Sequence, residues 1–98
     1  SMAILNDVKV ALRIAATTTD FDGEINDLIS AAIDDLKLAG VAADKAIDTD
    51  PLIKRAITTY CKAYFGYDNP DADRFWRSYE SLKMHLTLSA DYNTEAVV

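Results

Sequence analysis

Apolar residues recur every three or four positions along most of the chain, with polar residues filling the intervals. That period belongs to amphipathic helices and not to strands. Ile4, Leu5, Val8, Leu12 and Ala15 form a first stripe, and Asn6 or Asp7 suits a place near the helix start. The run "ATTTD" then interrupts the pattern, because β-branched threonines lose side-chain freedom in a helix. In the next run Ile25, Leu28, Ile29, Ala32, Ile33 and Leu36 keep helical spacing. Asp20, Asp22, Glu24 and Asp27 crowd its first turns, where the helix dipole favours carboxylates. Lys37 near its end and Gly40 beyond it suit a stop, so a helix is expected over about Asp22–Ala39.

"VAADKAIDTD" reads as a connection with room for one short turn. Asp50-Pro51 supplies a cap followed by proline in the first helical position. Leu52, Ile53, Ala56, Ile57, Tyr60 and Tyr64 then make the inner stripe of a third helix, expected to end near Phe65-Gly66. Asn69-Pro70 opens a fourth, with Asp71 and Asp73 in its first turn and Phe75, Trp76, Tyr79, Leu82 and Leu86 on its apolar face. Only "HLTLS" hints at a period of two, and no repeat or linker divides the chain. The expected fold is all-α: a single domain holding a small bundle of about four helices over residues 3–88. The aperiodic residues 89–98 are expected to form a flexible tail.

Composition narrows the possibilities. Ninety-eight residues suit one domain, and a chain this size buries roughly 60–65% of its unfolded surface, so association would help it. A formal net charge of −6 argues against general affinity for nucleic acid or an anionic membrane. A single cysteine cannot form an internal disulfide, which suits a reducing compartment. No apolar run approaches eighteen residues and no basic-then-apolar leader is present, so neither a membrane span nor a signal peptide is expected.

Candidate chemistry is sparse. Within "TTYCKAYFGYDNP", Tyr60 and Tyr64 continue the inner stripe, and Cys61 sits one position off it. A nucleophilic cysteine needs a base, and the only histidine, His85, belongs to another helix; one Cys and one His also fall short of a structural zinc site. "TTDFDGEINDLI" resembles a calcium loop at Asp20, Asp22 and Gly23, but Thr18 and Ile29 stand where the first and last ligands belong. These carboxylates read better as helix-end charges. Three scattered glycines make no phosphate cradle, and Asp34-Asp35 reads as a solvated face. Lys54 and Arg55 suit ion pairs with an acidic neighbour better than nucleic acid. No catalytic residue, cofactor or metal ligand is expected, and the protein does not read as an enzyme.

The segments "LNDVKVALRI", "INDLISAAIDDL" and "DPLIKRAITTYCKAYFGYDNP", in that order and spacing, resemble the head–tail connector proteins of tailed phages, also called head-completion or adaptor proteins. The similarity runs over about residues 4–88. It departs at "YFGYDNP", where many relatives carry a charged turn, and in the last helix and tail. The resemblance implies a helical, non-enzymatic subunit of the virion neck of a phage or prophage, assembled in the host bacterial cytoplasm. It would form a ring with copies of itself, between the portal protein and stopper or tail-completion proteins, with DNA passing through unbound and no membrane involved. On matched positions it implies a core at Val8, Leu12, Leu28, Ile29, Ala32, Ile33, Ile53, Ala56 and Ile57. Candidate subunit-interface residues are Lys9, Arg13, Lys54, Arg55, Tyr64 and Tyr67. The alternatives are a small helical DNA-binding module or a regulator that binds one partner protein.

Overall fold

Residues 2–97 are described by a computed structural model, with no strand among them. The helices are α1 (Met2–Ala11), α2 (Asp22–Ala39), α3 (Pro51–Tyr64), α4 (Ala72–Leu88) and the single turn α5 (Ala90–Asn93). The all-α fold matches the periodicity, with one short helix more than it implied.

The helix ends show why these segments fold as they do. α1 starts ahead of Asn6 and stops before its stripe is complete. Arg13 takes a left-handed conformation (φ 64°), its N–H donating to the Val10 carbonyl at 3.1 Å and the Ile14 N–H to the Lys9 carbonyl at 2.9 Å. This Schellman closure satisfies carbonyls that the last turn leaves open. Ala15, expected on the inner stripe, therefore lies outside the helix and exposed. Gly40 closes α2 in the same way at φ 125°, with the Val41 N–H donating to the Leu36 carbonyl at 2.9 Å. At the start of α3 the Asp50 carboxylate accepts the N–H groups of Leu52 and Ile53 at 2.9 and 3.2 Å, and Pro51 follows it.

α3 is the centre of the bundle. It packs most extensively on α4 and next on α2, while α1 lies across α2 and α3. Ile53, Ala56, Ile57 and Cys61 face Val8, Ile25, Ala32, Leu36, Tyr79 and Leu86 in one buried cluster. Fully burying each such isoleucine or leucine contributes about 2 kcal/mol. Leu12, Leu28 and Ile33 are half-buried at its margin. Besides Ala15, three residues expected inside lie out, Tyr64 at the end of α3 among them. Leu52 is exposed because it sits at the edge of the inner stripe in the first turn of α3. Trp76 is exposed because the inward row of α4 is Phe75, Tyr79, Leu82 and Leu86, one position to its side.

A polar bridge joins α2 to α4. The Tyr79 hydroxyl donates to Asp35 at 2.5 Å, and the Lys83 ammonium reaches Asp35 at 3.0 Å and Glu80 at 2.5 Å. Burial disfavours the Asp35 carboxylate, but the hydrogen bonds from Tyr79 and Lys83 outweigh it and hold its pKa below the ordinary value.

The stretch after Leu88 carries structure that its lack of period did not suggest. Ser89 caps α5 through the Asp91 N–H, and α5 folds back on α4. The Tyr92 hydroxyl meets both Asp50 oxygens at 3.1 Å, the Ala42 N–H donates to the Tyr92 carbonyl at 2.9 Å, and the Ala96 N–H donates to Asp44 at 2.9 Å. Val98 lies outside the described residues.

Candidate interaction groove

The helix that carries the core also carries its opposite. On α3 the residues Pro51, Lys54, Arg55, Thr58, Thr59 and Lys62 recur at the same helical spacing as the buried row, but on the outer side. With Arg74, Phe75 and Ser78 of α4 they line an open groove of about 570 Å³. The turn between the helices fixes one end of it: the Asn69 amide donates to the Lys62 carbonyl at 2.7 Å while its oxygen accepts the Asp71 N–H at 3.0 Å. A second, adjoining groove of about 480 Å³ shares Lys62 and Phe75 and ends at Arg13.

Half of the chain's ten basic residues therefore line these two grooves on a protein of net charge −6. Their charges are unequally compensated. Lys54 pairs with Asp7 at 3.0 Å and Arg74 approaches Asp71 at 3.7 Å, both near the surface where such pairs contribute little. The Arg74 guanidinium and the Lys62 ammonium both rest against the Phe75 ring, 4.7 and 5.4 Å from its centre. Arg13, Arg55 and Lys62 have no carboxylate partner among the described residues. With the hydroxyls of Thr58, Thr59 and Ser78 on the same walls, the groove suits an acidic partner.

The candidate interface residues thus fall into separate places. Lys54 and Arg55 lie in the first groove and Arg13 in the second. Tyr64 and Tyr67 line neither: half-exposed Tyr64 packs its ring at a tilt against Tyr60, centre to centre 4.5 Å, and Tyr67 stands fully exposed in the turn after α3. Lys9 is inside the subunit, only 2% exposed. Its ammonium meets the Ala16 and Thr18 carbonyls at 3.2 and 2.6 Å and the Asp22 carboxylate at 2.8 Å. Where a calcium loop would hold a metal, this chain places its own cation. The sequence pattern did not single out Lys62 or Arg74, although the second row on α3 marks Lys62, and it read Phe75 only as part of the apolar face of the fourth helix.

Among the described residues no three metal-binding side chains gather in one place. Cys61 is fully buried, and loss of water pushes its thiol up to about 12, so it stays protonated as a packing group. His85 is exposed on α4. No helix among the described residues is long and apolar enough to cross a membrane.

A family model described as "Phage connector protein" matches residues 4–93, which takes in all of α2 to α5 and nearly all of α1. The chain belongs to the phage connector protein family. Membership supports a head–tail connector role, and with it a place among the neck components of a phage virion. The match also reaches past Leu88 to include the α5 turn. No curated protein and no solved structure matches the chain.

Proposed function

We propose that this connector protein works as a ring. Copies of the chain assemble between the portal protein and the stopper or tail-completion proteins, with the DNA passing through the middle. The observation that carries the reading is the family match over essentially the whole helical bundle. The charge distribution supports it. An acidic ring repels the phosphates of sliding DNA, while the two grooves that hold the uncompensated Arg13, Arg55 and Lys62 are reserved for protein neighbours. The role is structural and non-enzymatic, requires no cofactor, and is exercised in the virion neck after assembly in the bacterial cytoplasm.

The test is the mass of the purified chain by light scattering after size exclusion, over a wide concentration range. It is repeated with the portal protein of the same phage and with a DNA fragment. A discrete assembly with the portal, indifferent to DNA, is the expected result. A peak shifted by DNA and restored by salt would point to the DNA-binding alternative, and indifference to the portal would remove the connector role.

A further inference from the structure

The α3–α4 groove has a complement elsewhere on the same molecule. On α2, Glu24, Asp27 and Asp34 lie three and ten residues apart on one stripe, all exposed and none with a cation partner among the described residues. The opposite face of α2 (Ile25, Ile29, Ala32, Leu36) is buried toward α3, and the opposite face of the groove stripe on α3 (Ile53, Ala56, Ile57, Cys61) is buried toward α2. The acidic ridge and the basic groove therefore point outward on opposite sides of the α2–α3 pair. We infer that the groove is the socket of a head-to-tail contact whose occupant is the acidic α2 ridge of a second copy of this chain.

Geometry and charge favour that occupant together. A two-fold contact through the groove would set groove against groove, with Arg55 and Lys62 facing their own kind. One through the other side would set carboxylate ridge against carboxylate ridge. Like charges brought together and desolvated cost free energy. Ridge into groove joins opposite charges, and because the two patches face opposite ways the contact is heterologous. Such contacts repeat from copy to copy and close into a ring when the rotation allows. This deepens the ring reading and rests on it, naming which surfaces of neighbouring copies meet.

The test uses three versions of the full chain. A groove variant carries Arg55→Glu and Lys62→Glu, a ridge variant carries Asp27→Lys and Asp34→Lys, and a swapped chain carries all four changes. Circular dichroism confirms that each remains helical, and sedimentation gives its mass. Wild type is expected as a discrete oligomer that dissociates at high salt. The groove and ridge variants are each expected at the monomer mass of 10.8 kDa, and the swapped chain is expected to regain the wild-type oligomer. A groove or ridge variant that keeps the wild-type mass overturns the assignment, as does a folded swapped chain that stays monomeric. So does a wild type that remains monomeric at millimolar concentration. If that monomer still binds the portal protein, the connector role stands and only the socket fails.

Discussion

Replacing Lys9 with methionine removes one charge from inside the subunit while keeping most of the side chain's apolar volume. In the native protein that ammonium holds the chain after α1 to the start of α2 through two carbonyls and Asp22, at 3.2, 2.6 and 2.8 Å. Removing one member of a fully buried ion pair costs about 3–5 kcal/mol. Asp22 keeps 28% of its side chain exposed, so water regains part of it. The methionine stem also packs more favourably than an ammonium in the same place. The net loss is then about 2–3 kcal/mol, out of the roughly 5–15 kcal/mol expected for a domain of this length. Thermal unfolding followed by circular dichroism reads this as a fall in Tm of about 10–20 °C. Adding Asp22→Asn to the variant should cost less than it does alone, because the two side chains act as a pair. A shift under about 4 °C would refute the reasoning. If assembly were lost as well at that unchanged stability, Lys9 would be working at a subunit contact.

Other consequences follow from the helix ends and the polar bridges. Gly40→Ala places a side chain at φ 125° and is expected to lower stability by about 1–2 kcal/mol, whereas Arg13→Gly relieves a left-handed arginine and should raise it by up to about 1 kcal/mol; urea unfolding midpoints compare the two. Asp35 has its folded pKa depressed, so its contribution is present above the unfolded value near 3.9 and is lost as pH falls through the folded one. Asp35→Asn should flatten the decline of the urea midpoint below about pH 4, and an unchanged slope would count against the Tyr79–Asp35–Lys83 bridge. At the alkaline end the raised Cys61 pKa works in the opposite sense: stability present below the ordinary thiol value of 9.0 is lost as pH rises toward about 12. Cys61→Ala should remove that part of the decline. Tyr92→Phe deletes the bonds to Asp50 and should cost about 1 kcal/mol, seen first as faster hydrogen exchange at the Ala42 amide and earlier proteolysis after Leu88. Unchanged exchange there would mean that the hydroxyl does not hold α5.

Most of the bundle was legible because burial and helical period coincide on α2 and α3. Ile25, Ile29, Ala32, Leu36, Ile53, Ala56 and Ile57 are inside where their spacing put them. Legibility failed where a local closure or a distant partner decides. The left-handed Arg13 ended α1 early, and nothing in the apolar pattern marks an arginine as a helix stop. Four residues are too few to show a period, so α5 stayed hidden, and its anchors, Ala42, Asp44 and Asp50, lie more than forty positions away. Lys9 was readable in principle. Leu5, Val8, Lys9 and Leu12 form one row, so a charge in that row needed partners within the fold. The groove was half legible: the outer row of α3 marks Lys54, Arg55 and Lys62, but only the packing of α4 brings Arg74 and Phe75 opposite them.

The central claim is that this chain encircles DNA as a ring against the portal. Electron microscopy of the purified chain mixed with the portal protein of the same phage tests it most directly. Class averages should show an extra annulus of density on one end of the portal, with an open channel continuous with its own. Portal particles without added density, or with isolated copies bound at scattered sites and no annulus, would contradict it.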